Sequence, residues 1–146
     1  MGVVYYVAPG GAEAKVINLA QAKTLSTYTW GKEGVSIGAT NEDGSQNQAL
    51  VVSQLSDYPA FQAAASAGAG WYLPSVAEIE EVYRALDLIN PILEDQGANA
   101  LKDITVWTSS EEADNFASSF IMNGGYVEGV FKSNEFVVIA IKQISK

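Results

Sequence analysis

The amino-acid sequence predicts a single α+β domain, residues 1–146, and three features of the chain support this class. Two short runs near the N-terminus flank a glycine turn, as in a β-hairpin. The middle of the chain carries helix start and stop signals. The last third alternates apolar segments with turn residues, which is typical of antiparallel strands. A hairpin followed by helices and then a strand meander is the order of an α+β domain.

The N-terminal hairpin is predicted from residues 3–7 and 15–19, which lie on either side of Gly10 and Gly11. Glycine adopts the positive φ angles that tight turns require. Residues 21–40 are rich in threonine, serine and glycine and follow no period. We therefore expect an irregular segment there.

The clearest predicted helix begins after Ser75. Ser75 and Glu78 match a capping box, in which each side chain accepts a hydrogen bond from a backbone N–H group of the first turn. Apolar residues at positions 76, 79, 82, 83 and 86 then fall on one helical face. This combination predicts an amphipathic helix that packs against the core.

Further helices are predicted from shorter signals. Pro59 suits the first position of a helix, because proline lacks the N–H group that is unsatisfied there. Asn90 and Pro91 predict the start of another short helix, which Gly97 ends. Residues 47–54 favour one more helix behind a turn.

The last third predicts four strands, namely residues 106–109, 116–122, 126–131 and 136–144. The second and third of these flank residues 123–125 (Asn-Gly-Gly), a strong signal for a hairpin turn. Residues 136–144 are nearly continuously apolar. Such a run predicts one central strand that is buried on both faces.

Composition argues against several functional classes. The chain has 17 acidic and 8 basic residues and a formal net charge of -9, which disfavours binding to the phosphates of nucleic acids. No stretch approaches the roughly 20 apolar residues of a spanning helix, so we expect no membrane insertion. Cysteine and histidine are both absent, which removes thiolate metal sites and the commonest general base. We therefore expect neither a cofactor nor catalysis. The sequence leaves the oligomeric state open.

Two tryptophan segments carry a family resemblance. The first is residues 70–75 (GWYLPS) with Glu78, and the second is residues 106–111 (VWTSSE). Together with the N-terminal strand, the Gly-Gly turn, Lys132 and the closing strand, they occur in the order found in certain bacterial domains of unknown function. The chain resembles this family, whose members are similar to the C-terminal domain of collagen-like adhesins. The resemblance covers nearly the whole chain.

The resemblance implies a C-type-lectin-like fold with paired terminal strands, two or more helices and an antiparallel C-terminal meander. Relatives with this fold include adhesins, variable ligand-binding proteins of diversity-generating retroelements, and formylglycine-generating enzymes. The enzymes depend on active-site cysteines, which this chain lacks. The chain also lacks the Glu-Pro-Asn or Gln-Pro-Asp loop and the Trp-Asn-Asp triplet of calcium-dependent animal lectins. Their calcium-bridged mode of sugar binding is therefore not implied.

The best candidate for a ligand site is the polar segment 108–115, which follows a strand and contains three carboxylates. Its hydroxyls, carboxylates and amide suit sugars or peptide groups, and its carboxylates could gather a cation such as calcium. Whether a metal takes part stays open. Including nearby turns, the predicted ligand-binding residues are Ser110, Glu111, Glu112, Asp114, Asn115, Asn123, Tyr126 and Asn134. The alternative is a solvated loop whose side chains bond local backbone.

Other motifs favour structural roles. Trp71 and Trp107 are expected in the core, with their indole N–H groups bonded to backbone. Residues 41–47 alternate oxygen-bearing side chains as a calcium loop does, but the bidentate glutamate is missing. A turn with a helix N-cap is therefore favoured there. Trp30 is expected to pack the irregular segment, whereas Tyr28 either packs it or contacts a ligand.

Three functions are weighed. The first is a non-catalytic ligand-binding or adhesion module of an exported or cell-surface bacterial protein that recognises glycan or protein. The second is a structural or assembly domain of a fimbrial or multidomain surface protein, in which residues 136–144 could pair with another chain if their edge is exposed. The third is a glycoside hydrolase with Glu111 and Asp114 as paired carboxylates. The absence of histidine and cysteine disfavours the third function. No signal peptide is visible in this sequence, so export is expected from the resemblance alone.

Overall fold

The computed structural model describes residues 1–145, in which nine strands form two β-sheets. The strands are β1 Gly2–Val7, β2 Glu13–Asn18, β3 Thr27–Thr29, β4 Trp71–Tyr72, β5 Thr105–Glu111, β6 Phe116–Ile121, β7 Tyr126–Phe131, β8 Glu135–Val137 and β9 Ile141–Ser145. The first sheet has the order β1-β2-β9-β4, and the second has the order β3-β8-β5-β6-β7.

Five α-helices connect the strands within residues 1–145. They are α1 Leu19–Thr24, α2 Gly44–Leu50, α3 Pro59–Ala65, α4 Val76–Arg84 and α5 Leu86–Asp95, with a 3₁₀ segment at Val52–Asp57. The α+β class that the sequence predicts is confirmed. The predicted N-terminal hairpin is present as β1 and β2, which pair antiparallel.

The terminal strands share a sheet but do not pair directly. β2 lies between β1 and β9 and pairs antiparallel with both. The predicted pairing of the terminal strands is therefore correct only for the second strand of the N-terminal hairpin. The predicted C-terminal meander is present as β5, β6 and β7, which pair antiparallel in chain order.

The apolar segment 136–144 is not one strand, contrary to the prediction. It begins as β8 in the second sheet and ends as β9 in the first sheet. Between them, the N–H group of Ala140 donates to Gln21 Oε1 at 2.6 Å. The carbonyl of Ala140 accepts a hydrogen bond from the N–H group of Asn18 at 2.9 Å. Because these bonds satisfy the backbone outside a ladder, the chain can cross from one sheet to the other.

This crossing segment is buried on both sides, as its composition predicts. Val137, Ile139 and Ile141 belong to one hydrophobic core, which also holds the apolar faces of α4 and α5. Val138 and Ala140 belong to a second core. That core contains aromatic side chains packed edge to face, among them Trp30 and Phe61 with ring centroids 5.1 Å apart. Successive side chains of residues 137–141 thus belong alternately to the two cores, and this short segment joins them.

Helix α4 begins as the sequence predicts. Ser75 Oγ accepts a hydrogen bond from the N–H group of Glu78 at 3.3 Å, and Glu78 Oε1 accepts one from the N–H group of Ser75 at 3.1 Å. Glu78 also accepts hydrogen bonds from the N–H group of Gly44 at 2.7 Å and from the hydroxyl of Tyr72 at 2.8 Å. The capping box therefore holds the start of α2 and β4 as well as its own helix.

Helix α2 confirms the N-cap interpretation of residues 41–47. The carboxylate of Asp43 accepts hydrogen bonds from the N–H groups of Ser45 and Gln46. Asn47 is buried and bonds the backbone of Thr40 at both its N–H and its carbonyl group. These side chains organise backbone, and α2 begins a few residues earlier than predicted.

The predicted helix start at Asn90 and Pro91 is wrong. α5 begins at Leu86, directly after α4, and Pro91 lies inside it. The side chain of Asn90 instead bonds the backbone of Leu101, accepting from its N–H group at 2.9 Å. Packing of Leu86, Ile89 and Leu93 into the core outweighs the loss of one helical hydrogen bond at the proline.

We expect Ser75→Ala to lower the free energy of unfolding by about 1 kcal/mol, the usual cost of losing an N-cap. Glu78→Ala should cost more, about 3 kcal/mol, because it leaves the Tyr72 hydroxyl and the Gly44 N–H group without partners in a buried place. Urea denaturation measures both. Glu80→Ala on the same helix is the control, and equal losses for Glu78→Ala and Glu80→Ala would contradict this role of Glu78.

Candidate functional site

The first part of the predicted polar loop is a buried strand. β5 extends to Glu111, and Thr108, Ser109 and Ser110 are each 0% exposed. The register of β5 against β6 shifts between Trp107 and Glu111, so the chain bulges there. Three successive hydroxyl side chains are therefore buried in the protein at this irregular part of the strand.

The buried hydroxyls connect β5 to distant segments. Ser110 Oγ donates to the carbonyl of Thr40 at 2.9 Å and accepts from the N–H group of Val76 at 3.0 Å. Ser109 Oγ accepts from Asn47 Nδ2 at 2.9 Å. Ser110, predicted as a ligand contact, is therefore enclosed and fully bonded within the protein.

Glu111 is the centre of a buried ion pair. Its Oε2 lies 2.7 Å from Lys132 Nζ, and the side chains of Glu111 and Lys132 are 3% and 0% exposed. Its Oε1 accepts hydrogen bonds from Ser36 Oγ at 2.8 Å and from the N–H groups of Ile37 and Gly38 at 2.9 and 3.0 Å. The carboxylate therefore anchors the irregular segment to the end of β5.

Lys132 is fully enclosed by the same contacts. Its Nζ also donates to the carbonyl of Val35 at 3.0 Å and lies 4.7 Å from the ring centre of Trp30. Burying an ammonium group is costly unless a counter-charge and acceptors surround it, and here Glu111, Val35 and the Trp30 ring do so. The lysine that belongs to the family resemblance therefore has a structural partner in Glu111.

The pKa of Glu111 reflects this environment. Burial alone would raise the pKa of the Glu111 carboxyl. Hydrogen bonds from Lys132 and Ser36 and from the backbone N–H groups of Ile37 and Gly38 outweigh burial and hold the pKa below its ordinary value. Glu111 is consequently an ionised structural group and not a poised proton donor.

Asn115 fastens the same irregular segment one turn further on. Its Oδ1 accepts a hydrogen bond from the N–H group of Gly34 at 2.7 Å. The backbone carbonyl of Asp114 accepts from the same N–H group at 3.2 Å. Residues 34–38 are thus held at one end by Asn115 and at the other by Glu111.

The remaining predicted site residues are exposed but do not form one cluster. Glu112, Asp114 and Asn134 lie at the end where β5 meets β6 and where β7 ends. Asn123 and Tyr126 lie at the opposite end of the hairpin formed by β6 and β7. Strands of this length separate the two groups by about 17 Å. A single small ligand therefore does not contact both groups.

The sequence predicts β7 as a strand but not its position at the edge of a sheet. β7 is the last strand of its sheet, and its side chains are mostly exposed. Tyr126, Val127 and Phe131 are 63%, 44% and 53% exposed. The ring of Phe116 on β6 lies beside that of Phe131, with centroids 4.7 Å apart. Residues 126–131 carry no local sequence signal of this edge position.

Backbone hydrogen bonds show which groups of β7 are free. The N–H group of Lys132 donates to the carbonyl of Asn115, and Ser119 Oγ donates to the carbonyl of Glu128. These backbone groups of Lys132 and Glu128 therefore face β6. In an antiparallel ladder the direction of these groups alternates along the strand. The N–H and C=O groups of Val127 and Gly129 and the N–H group of Phe131 therefore point away from β6, whereas the Phe131 carbonyl accepts a hydrogen bond from the N–H group of Asn134 at 3.0 Å.

The tryptophans that suggested the family resemblance lie in the second core. Trp107 is fully buried, and its Nε1 donates to the carbonyl of Tyr28 at 2.6 Å, as predicted. Trp30 is fully buried and donates to the carbonyl of Thr108 at 2.8 Å. Trp71 is 9% exposed and its ring centre lies 6.0 Å from Lys142 Nζ, but, contrary to the prediction, its indole N–H group makes no hydrogen bond to backbone within residues 1–145. Packing is therefore their role.

Residues 1–145 contain neither a metal-binding cluster nor a membrane-spanning helix. In this part of the chain, no three His, Cys, Asp or Glu side chains are grouped so that they could hold a metal ion. In the same residues no helix has both the length and the apolar character needed to cross a membrane.

We expect Glu111→Gln to lower the free energy of unfolding by about 3–5 kcal/mol at neutral pH, because Lys132 keeps a buried charge and loses its counter-charge. The pKa of Glu111 is lowered in the folded state. Its contribution is therefore complete above the pKa of unfolded glutamate, about 4.3, and is lost as pH falls through the folded-state pKa.

The difference between wild type and Glu111→Gln should accordingly shrink when urea denaturation is repeated at about pH 3. Glu112→Gln, an exposed neighbour, should show little loss at either pH. A constant difference between wild type and Glu111→Gln across this range would show that the carboxylate charge of Glu111 does not stabilise the fold.

Comparison with known proteins gives one informative result. No protein-family model and no curated protein matches the chain. A solved structure described as a fimbrial protein from Bacteroides ovatus ATCC 8483 matches with a TM-score of 0.61 and 15% sequence identity. The match covers 88% of this chain and 35% of that one, so the chain spans about a third of the length of the fimbrial protein. At this identity the similarity shows a shared fold.

Proposed function

We propose that this chain is a non-catalytic structural or assembly domain of a bacterial surface-appendage protein. The observation that carries the proposal is the free edge of β7, where outward-pointing backbone groups coincide with exposed Val127 and Phe131. The fold shared with part of a fimbrial protein supports it. On this proposal β7 is the contact with a neighbouring protein.

An open, apolar edge strand is unusual on a domain that works alone. Proteins normally protect such edges with charges, prolines or bulges, because unpaired N–H and C=O groups invite another strand. β7 has regular pairing with β6 along all six residues, no proline and one charged residue, Glu128. Such a strand suits recognition by strand addition, in which backbone hydrogen bonds supply affinity and side chains supply specificity.

The assembly surface differs from the one expected from sequence. On the assembly hypothesis, the sequence predicts pairing of residues 136–144 with another chain if their edge is exposed, but β8 lies between β3 and β5 and β9 lies between β2 and β4. Each strand therefore has a neighbour on both sides, although β5 pairs with β8 only at Val137 and β4 pairs with β9 only at Ile141 and Lys142. Among the edge strands of the two sheets, the proposal assigns the contact with a neighbour to β7.

The location and the family assignment belong to the same proposal. We infer an exported or cell-surface protein from the fimbrial fold match and from the resemblance of the tryptophan segments to adhesin domains. A C-type-lectin-like relationship is consistent with the shared sheet of β1, β2 and β9 and with the strand meander. It is supported by motif order and stays a prediction.

Ligand binding is the second candidate function. Glu112, Asp114 and Asn134 are exposed at one end of the second sheet, where polar side chains and a turn meet. Such a surface can bind the hydroxyls of a glycan or a peptide. Ser110 and Glu111 contribute only support beneath it, since their polar atoms already bond protein groups.

A hydrolase is disfavoured by the state of Glu111. A glycosidase needs one protonated carboxyl whose pKa is raised and one carboxylate, both open to the sugar. Glu111 is 3% exposed and its pKa is lowered. Asp114 alone does not complete such a pair.

The assembly proposal predicts that charge on β7 blocks incorporation into surface appendages. We expect Val127→Asp combined with Phe131→Asp, expressed from the native gene, to reduce several-fold the chain found in high-molecular-weight surface fractions. Leu50→Asp combined with Val52→Asp is the matched control, since both residues are exposed apolar residues outside β7. Circular dichroism confirms folding of both purified variants. Equal incorporation of both variants would argue against the proposal.

The ligand-binding candidate is tested by a glycan array with a parallel calcium titration. If it is correct, wild type binds a glycan, and Glu112→Ala combined with Asp114→Ala weakens binding at least tenfold without loss of stability. Binding that is unaffected by the double substitution, or no binding to any glycan or matrix protein, removes this surface from consideration.

A further inference from the structure

A carboxylate lies at the middle of the free edge of β7. The Glu112 carboxylate occupies the space that a Cβ atom on Gly129 would fill. Gly129 is one of the residues whose backbone groups point away from the sheet, and it pairs with Ser118 on the other side. Glu112 therefore supplies the side chain that Gly129 lacks, and this side chain is negatively charged.

The face of β7 that contains Glu112 has an apolar-acidic-apolar pattern. Side chains of residues two apart lie on the same face of a strand, so Val127 and Phe131 flank the Glu112 carboxylate. Val127 and Phe131 are partly exposed, and Glu112 is exposed. Within residues 1–145 no salt bridge reaches Glu112, whereas Glu111 beside it is paired with Lys132.

A second copy of this chain does not fit that pattern. Antiparallel pairing of β7 with its own copy, with the fullest use of the free backbone groups, would place Gly129 opposite Gly129 and Val127 opposite Phe131. The two Glu112 carboxylates would then meet across the symmetry axis. Like charges directly opposite each other in a sheet are destabilising, and the net charge of -9 adds to the repulsion.

We infer that the occupant of the β7 edge is an extended segment of another protein with a lysine or arginine opposite Gly129 and apolar residues two positions before and after it. This inference rests on the proposed function and specifies its partner. The basic side chain would pair with Glu112, and the apolar side chains would cover Val127 and Phe131. Neighbouring strands lie about 4.8 Å apart, which brings such a side chain within reach of the carboxylate.

The opposite face of β7 favours the same kind of partner. Glu128 is exposed there, next to the half-buried Val130. A second basic residue at a neighbouring position of the added strand would approach Glu128. Both faces of the edge therefore favour a partner that is basic where this chain is acidic.

The test uses synthetic peptides of about ten residues, a typical strand length, and the whole chain. One peptide alternates threonine with valine and has a single lysine in place of the central valine. A second peptide has glutamate at that position, and a third repeats the lysine peptide with alternate backbone N-methyl groups. Fluorescence anisotropy gives the affinity, and amide NMR shifts locate the bound peptide.

We expect the lysine peptide to bind about tenfold more tightly than the glutamate peptide, since opposite and like cross-strand charges act in opposite directions. The shifted amides should be those of Val127, Gly129 and Phe131. N-methylation that blocks the peptide's edge hydrogen bonds should abolish binding. Equal binding of the N-methylated peptide would overturn strand addition.

Charge reversal isolates the role of Glu112. Glu112→Lys should reverse the preference, so that the glutamate peptide binds more tightly than the lysine peptide. Glu94→Lys on α5 makes the same change in net charge away from β7 and should preserve the original preference. An unchanged preference in Glu112→Lys, or no binding of either peptide to wild type, would overturn the inferred partner.

These outcomes are separable from failure of the proposed function. If edge charges block surface incorporation but no peptide preference is found, β7 assembles with a partner of different chemistry. If the peptide preference is found but surface incorporation is unaffected, the edge binds basic strands outside appendage assembly. Each experiment therefore decides its own claim.

Discussion

The structure depends on a buried ion pair between Glu111 and Lys132. Glu111 ends β5 and Lys132 directly follows β7, and the irregular segment near residues 34–38 is bonded to both. A carboxylate and an ammonium group in an enclosed place are stable only together and with further hydrogen bonds. Here the irregular backbone supplies those bonds. The ion pair thus anchors residues 35–38, which have no regular secondary structure, to the second sheet.

This constraint decides which surfaces are available for function. The polar segment after Trp107 is buried, since the hydroxyls of Thr108 and Ser110 bond backbone groups of other segments and the Ser109 hydroxyl bonds the side chain of Asn47. The carboxylate charge of Glu111, at the end of this segment, is neutralised by Lys132. One exposed surface that combines free backbone groups with apolar side chains is then the edge of β7, where the Glu112 carboxylate lies against Gly129.

Local features of the fold could be predicted from sequence because their partners are close in the chain. The capping box of Ser75 and Glu78 and the hairpin turn at residues 123–125 depend on groups a few residues apart. The burial of Ser110 and Glu111 depends on partners about 70 residues earlier. Polar side chains after a strand look the same in sequence whether solvent or distant backbone satisfies them.

Strand order explains the other errors. The apolar run 136–144 is buried on both sides, as its composition predicts, but it passes from one sheet to the other at Ala140. Neither the crossing nor the position of β7 at an edge has a local sequence signal. Both follow from the pairing of segments that are far apart in the chain.

The central claim is that Glu111 and Lys132 stabilise the fold as a pair, which a double-mutant cycle tests directly. Unfolding free energies would be measured for wild type, Glu111→Gln, Lys132→Met and the double variant. The account predicts that the double variant loses less stability than the sum of the single losses, by about 2 kcal/mol or more. Additive losses would contradict it.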